Sequence, residues 1–309
     1  MKYRILGNTS LSTSVLSFGA SSLGSVFRDI DEAEGIRTVH EALDLGINLL
    51  DVSPFYGLTK AETVLGKALE GIPRDKYILS TKAGRYGEDE FDFSPARIIR
   101  SVDESLQRLK LNYIDILHLH DIEHVDINRV IEESIPTLYM LKEQGKIRFH
   151  GISGLPLKIY PTVMDRVQVD AMITYCHYSI NDTSLLDLLP YLEEKKAGVI
   201  NASPLSMGLL THRGTPSWHP ATSEIKEVCK KAAAYCAARG AELAKLAVQF
   251  SVENERIPTT LVGTANPENI RKNVQWIEEP MDRELLLEVQ QILQPVLNKT
   301  WPSGRLENN

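Results

Sequence analysis

From residue 15 onward the chain alternates eight times between a short apolar or β-branched run and an amphipathic stretch of helical period. "VLSF" (15–18) precedes a helical pattern over 32–45. "INLL" (47–50) is followed by 60–69, "YILST" (77–81) by 95–109, and "YIDILHL" (113–119) by 129–144. "FHGI" (149–152) is followed by 157–165, "VDAMIT" (169–174) by 184–195, "AGVINA" (197–202) by a longer helical region at 222–253, and "TTLV" (259–262) by 267–275. Such alternation implies a parallel sheet with its helices outside. Eight units in a row favour a closed (β/α)8 TIM barrel, of the α/β class, over an open sheet. A chain of 309 residues accommodates that fold, which typically needs about 250. Residues 2–14 read as an N-terminal β-hairpin covering the barrel's bottom, and 282–294 as an extra C-terminal helix ahead of a tail. No linker or low-complexity run interrupts the pattern, so residues 1–309 read as a single domain. No GxGxxG follows a strand, which counts against an open dinucleotide-binding sheet.

The net charge of −7, from 34 basic and 41 acidic residues, argues against a nucleic-acid or anionic-membrane surface. No apolar run approaches the roughly 20 residues that span a bilayer, and "MKYRILGNTS" lacks the apolar centre of a signal peptide. Cys176, Cys229 and Cys236 form no CxxC pair and leave an odd thiol, so a reducing, cytoplasmic setting is expected. The barrel helices offer no obvious exposed seam, and a monomer and a homodimer are both compatible with the sequence.

In a barrel of this kind the functional side chains sit where strands end and βα loops begin. Reading those positions gives Asp51 after the second run, with Tyr56 five residues on, Lys82 after the third and His120 after the fourth. Closure brings these neighbouring ends together at one mouth. A phenol titrates near 10, too high for a ready base at neutral pH. An ammonium ~4 Å away favours the phenolate by about 4 kcal/mol at an effective dielectric near 20, and desolvation opposes it. Asp51 would keep Lys82 charged and aimed, His120 would donate a hydrogen bond to the substrate oxygen, and Tyr56 would move the proton.

Each residue has a plainer reading alone. An aspartate after a strand is commonly a cap or turn residue, a loop tyrosine packs, and a strand-end lysine is solvated. His118, two residues before His120 on the same strand face, reads as a core histidine. "HLHD" also permits a zinc site, as in metal-dependent hydrolases. The other strand ends supply few donors, Ser153, Ser203 and Gly263 with only His177 nearby, so no metal is expected.

"DVSPFYG", "STKAG" and "YIDILHLHD" resemble the segments that carry the catalytic tetrad of the aldo-keto reductases, with Asp115 and His120 at the family's spacing of five. The resemblance runs through nearly the whole chain. "FGASSLGSVF", "GRYGEDEFDFS", "HDIEH", "YCHYSINDTSLLDLLPYL", "ASPLSMGLLT", "WHPA" and "TWPSG" are similar to the L-galactose dehydrogenase branch of that family.

The resemblance implies an extended nicotinamide dinucleotide across the barrel mouth, held by Gly19, Ala20, Ser153, Gly154, Tyr175, Ser203, Leu205, Gly263, Thr264, Asn269 and Asn273. It also implies departures. Gly154 stands where an asparagine often follows the carboxamide-binding serine, Tyr175 replaces a glutamine, and Ala202 replaces a stacking aromatic. Gly263 and Asn269 occupy positions that often grip a 2′-phosphate, with Arg271 and Lys272 close by, so NAD is expected over NADP. The implied reaction is oxidation of L-galactose, or a related aldose, at C1 to the lactone. Tyr56 is the base, and Phe55, Asp121, Trp218 and Trp301 are substrate-pocket candidates. The 203–222 segment reads either as a flap over the cofactor or as a plain surface loop.

Overall fold

The computed structural model describes residues 1–26 and 29–309; Phe27, the last residue of the quoted 18–27 segment, lies outside the described residues. Strands β1 (Tyr3–Ile5) and β2 (Ser12–Ser14) pair antiparallel, Arg4 opposite Thr13. The remaining strands are β3 (Leu16–Gly19), β4 (Leu49–Asp51), β5 (Ile78–Ala83), β6 (Ile114–Leu119), β7 (Ile147–Gly154), β8 (Ala171–Tyr175), β9 (Gly198–Ala202) and β10 (Thr259–Gly263). They run parallel and close in the order β10-β3-β4-β5-β6-β7-β8-β9. The barrel expected from the sequence is therefore present. Strand residues that face the barrel axis and those that face the helices are both buried, hence the continuous apolar runs.

The hairpin closes the bottom by a visible device. Leu6 and Leu11 are buried with Leu49, Ile78, Ile116, Ile173, Ile200 and Leu261, which project into the barrel. Its turn lies so close to β9 that a Cβ on Gly7 would fall 2.3 Å from the Gly198 nitrogen. The opposite end is left for the βα loops.

Outside lie α1 (Glu32–Asp44), α2 (Lys60–Ala68), α3 (Pro95–Leu109), α4 (Ile127–Arg129), α5 (Ile135–Glu143), α6 (Ile159–Met164), α7 (Leu185–Glu194), α8 (Ser223–Ala238), α9 (Leu243–Glu253), α10 (Pro267–Glu278) and α11 (Arg283–Leu293). Side chains of Asp31, Ser94, Thr222, Asn266 and Asp282 accept first-turn amides and set five of the starts.

Two helical expectations need correction. The stretch 129–144 is not one regular helix, because a π-helical turn, Val130–Ser134, separates α4 from α5. Pro136 explains it: proline has no N–H for the i→i−4 bond, and a wider turn relieves the ring's clash with the preceding turn. The region 222–253 divides into α8 and α9 at Gly240, whose φ of +69° ends the first helix. This pair packs with α11 and Trp301 in a second apolar cluster beside the barrel.

Candidate active site

The barrel order sorts the expected site residues into two arcs of one rim. Adjacent strands β4, β5 and β6 deliver Asp51, Lys82 and His120, while β7, β8, β9, β10 and β3 deliver the residues expected to hold a dinucleotide.

Asp51 is the last residue of β4, and Lys82 lies next to the end of β5. Lys82 Nζ donates to Asp51 Oδ2 at 2.5 Å and to the Val52 carbonyl at 3.0 Å. The second carboxylate oxygen, Oδ1, accepts from Ser80 Oγ at 2.7 Å. Ser80 Oγ, having given its proton to Asp51, can only accept from His118 Nδ1 at 3.2 Å. His118 is therefore the Nδ1–H tautomer, and a directed chain runs from His118 through Ser80 to Asp51. Room for the imidazole exists because residue 151 on β7 has no side chain; a Cβ there would fall 2.3 Å from His118 Cδ2. Burial, then the Lys82 charge, hold His118 well below the usual histidine range, so the ring is neutral. Burial also works against charge on Lys82, but Asp51 and Tyr56 outweigh it and raise the ammonium above its ordinary value.

Tyr56 lies on the loop after β4. Its backbone is pressed against the turn after β3: a Cβ on Gly24 would meet the Tyr56 carbonyl oxygen at 2.6 Å, and one on Gly57 would meet the Gly24 oxygen at 2.0 Å. Two glycines thus allow the loop to seat the phenol over Lys82, whose Nζ is 4.8 Å from the ring centre. The electrostatic outcome corrects the simplest expectation. Burial is the largest influence on the phenol and raises it; Lys82 pulls it down, and Asp51 and Asp121 push it up again. The phenol is therefore raised, not lowered.

His120 follows β6, edge-on to Tyr56 at 5.7 Å between ring centres and to Phe55 at 5.8 Å. Its Nδ1 is 3.0 Å from Ser53 Oγ and its Nε2 3.6 Å from Asp121 Oδ2. An acceptor beside Nε2 favours the Nε2–H tautomer, leaving Nδ1 to accept from Ser53. Burial lowers His120 to about 3, against the pull of Asp121, so it is a neutral donor. Asp121, in the left-handed conformation, is held by Arg85 Nη1 at 2.7 Å, and the same guanidinium lies 3.9 Å above the Phe55 ring. Phe55 and Asp121 therefore both lie against His120. Trp301 and Trp218 are placed through His219: Trp301 is buried edge-on to it at 5.0 Å, and Trp218 stacks on it with about half its surface exposed.

Along the other arc, Ser153 Oγ accepts from the Asp121 amide at 3.2 Å, and Gly154 ends β7. Tyr175 pairs with Ala202 across β8 and β9, so the tyrosine stands beside the alanine in the register. Ser203, in the left-handed conformation, opens the loop that carries Leu205. Gly263 ends β10 exposed and opposite Gly19, with Ala20 buried behind. A side chain at 263 would reach within 3.4 Å of the Gly19 oxygen and Ser21 Oγ, so this rim is bare backbone. Helix α10 starts four residues later, with Thr264 Oγ1 accepting from Asn269 Nδ2 at 3.2 Å and Asn273 one turn on. An open glycine rim leading to a helix N-terminus suits the approach of a dinucleotide's polar groups. Arg271 grips Glu41 through Nε and Nη2, both at 2.7 Å, and also contacts Glu268.

Sequence reasoning missed Ser53, Ser80 and Arg85 and assigned His118 to the core alone. Period-two alternation puts Ser80 on the same face as Lys82, a signal that could have flagged it. Among the described residues no group of three or more His, Cys, Asp and Glu side chains is arranged to hold a metal ion.

The model of the aldo/keto reductase family matches residues 15–294. The chain is 51% identical to L-galactose dehydrogenase of Arabidopsis thaliana over 100% of its own length and 99% of that protein's. It is 34% identical to D-arabinose 1-dehydrogenase of Saccharomyces cerevisiae, over 78% and 76%. Among solved structures, an aldo-keto reductase of Bacillus halodurans in its holo form superposes with a TM-score of 0.80 at 30% identity, covering 98% of each chain. The barrel, the residues gathered at its mouth and these likenesses together make the chain an oxidoreductase that belongs to the aldo/keto reductase family.

Proposed function

We propose that the protein oxidises the cyclic form of L-galactose, or an aldose sharing its ring configuration, at C1 to the aldonolactone, using NAD. The full-length 51% identity to L-galactose dehydrogenase carries this reading. The D-arabinose relative supports it through stereochemistry. D-Arabinopyranose and L-fucopyranose repeat the C2–C4 configuration of L-galactopyranose and differ in what C5 carries.

Lys82 and Asp51 hold a fixed positive charge beneath Tyr56. His120, neutral and with its proton on Nε2, donates to the anomeric oxygen and turns C1 towards the β7–β10 arc. Tyr56 takes the proton of the anomeric hydroxyl as the carbon–oxygen double bond forms. Bound on that arc, NAD supplies the hydride acceptor and a positively charged ring. Burial raises the phenol, so the oxidation rate is expected to climb with alkaline pH as the phenolate forms. Arg85 and Asp121 fix each other beside His120, which leaves the Asp121 carboxylate able to accept a sugar hydroxyl.

The coenzyme preference is supported by Arg271, one of the two cations close to the positions that often grip a 2′-phosphate, being engaged by Glu41 and Glu268. A panel of L-galactose, L-fucose, D-arabinose, D-galactose and D-glucose, assayed for NADH and NADPH production, tests the proposal. Turnover of the first three with NAD is expected. Turnover of the D-hexoses alone, or turnover only in the reductive direction with NADPH, would overturn it.

A further inference from the structure

Glu123 has no part in the chemistry above, yet its side chain is fully buried at the barrel mouth. It lies in the turn Ile122–His124, two residues past Asp121 and three past His120. Oε1 accepts from the Leu155 amide at 3.1 Å and from the Ser303 hydroxyl at 2.9 Å. The Glu123 carbonyl accepts from the Arg305 amide at 2.9 Å and from Asn308 Nδ2 at 2.8 Å. Gly304 lies directly on it, since a Cβ there would be 2.4 Å from that carbonyl oxygen. Oε2 is buried with no hydrogen-bond partner among the described residues, against Gly154, where a Cβ would come within 2.4 Å. One residue therefore joins the β6 exit, the β7 exit and the segment 301–309.

That segment reaches the rest of the mouth through Trp301. Its ring meets His219, which binds the Ser206 carbonyl at 3.1 Å, and it shares an apolar cluster with Tyr175, Leu205 and Met207. We infer that Glu123 is a positioning residue for substrate binding, seating residues 301–309 as a wall of the sugar pocket; this rests on the pocket reading given above.

The seat is built for a neutral side chain. Facing the carboxyl are Asp121 from its own turn, His124 beside Ser303 Oγ, Tyr160 from α6 and Tyr175 from β8. None is a free cation: Arg85 is committed to Asp121, Lys158 to the carbonyls of Glu307 and Asn309, and the Arg305 side chain to Glu307. Burial, and after it the Asp121 charge, push the Glu123 carboxyl up to about 8. With Oε1 accepting two bonds, the proton resides on Oε2. As pH rises through 8 the group ionises beside a second carboxylate, and the seat for Ser303 and Gly304 loosens.

The test compares the wild type with Glu123→Gln, which keeps the shape and cannot ionise. Between pH 7 and 9.5 the wild-type KM for L-galactose is expected to rise about five-fold relative to that of the variant, with kcat and NAD affinity following one profile in both. Hydrogen exchange of residues 301–309, read as the wild-type-to-variant ratio at each pH, should rise over the same range. Ser303→Ala, which spares the carboxyl, should raise KM about three-fold at pH 7 and speed tail exchange. Identical KM profiles and an exchange ratio of one at all pH values would overturn the inference, as would a silent Ser303→Ala. If no aldose is turned over, the proposed function fails, and the exchange ratio alone decides the role of Glu123.

Discussion

Lys82 Nζ and Asp51 Oδ2 are 2.5 Å apart, and neither side chain is more than 4% exposed. Pairs this deep gain little net stability, because desolvation of both ions offsets their attraction. This one is retained at the base of a tyrosine, with the Val52 carbonyl and Ser80 hydroxyl completing its hydrogen bonds. Its consequence lies in chemistry: it keeps a cation charged where water cannot.

Lys82→Met isolates that aspartate. Leaving one buried ion unpaired costs about 3–5 kcal/mol. Lys82→Met combined with Asp51→Asn should recover most of the stability and none of the turnover. Urea denaturation and steady-state rates on the single and double variants check this; recovery of both together would contradict it.

Ser80→Ala removes the link between His118 and Asp51. The loss of a bond inside a dry network should destabilise the fold by about 1–3 kcal/mol. It should also move the alkaline limb of the oxidation profile upward, because an unsteady carboxylate holds Lys82 less well. An unchanged pH profile with lowered stability would reduce the chain to packing.

Much of this architecture was legible in the primary structure for a physical reason. A parallel barrel buries both faces of each strand, so Leu49, Leu50, Ile114 and Ile116 stand in uninterrupted apolar runs, and the first polar residue past each run marks the mouth. Asp51, Lys82 and His120 were readable in that way. Contacts between distant segments were not. Nothing local to Glu123 announces Ser303, 180 residues away, and nothing near Arg271 announces Glu41. The net direction of the Tyr56 shift was equally hidden, since it depends on how much water the loop excludes. The Val130–Ser134 turn and the break at Gly240 do have local signals, Pro136 and the glycine itself, which prevail over helical periodicity there.

Glu41→Gln should loosen Arg271, leaving Glu268 as its remaining ionic partner. Removal of the bidentate partner leaves a guanidinium near the start of α10, where a 2′-phosphate can claim it. An increase of about 3–10-fold in kcat/KM for NADP, with NAD little changed, is the expected result, measured with both coenzymes at fixed ionic strength.

Acid should weaken the fold through His120. The unfolded chain takes up a proton near pH 6.5, whereas the folded ring does so at about 3. The stability it confers is complete above 6.5 and is lost as pH falls through that window, about 2 kcal/mol between pH 6.5 and 5. His118 acts in the same direction. Denaturation at pH 7 and 5 should show that loss, and His120→Asn should reduce the slope.

The claim that Tyr56 moves the proton is tested most directly by Tyr56→Phe under single-turnover conditions, with saturating NAD and L-galactose. General-base catalysis of this kind is worth about 10²–10⁴-fold, so a loss of that size is expected with NAD affinity intact. A hydride-transfer rate within a few-fold of wild type would contradict the account.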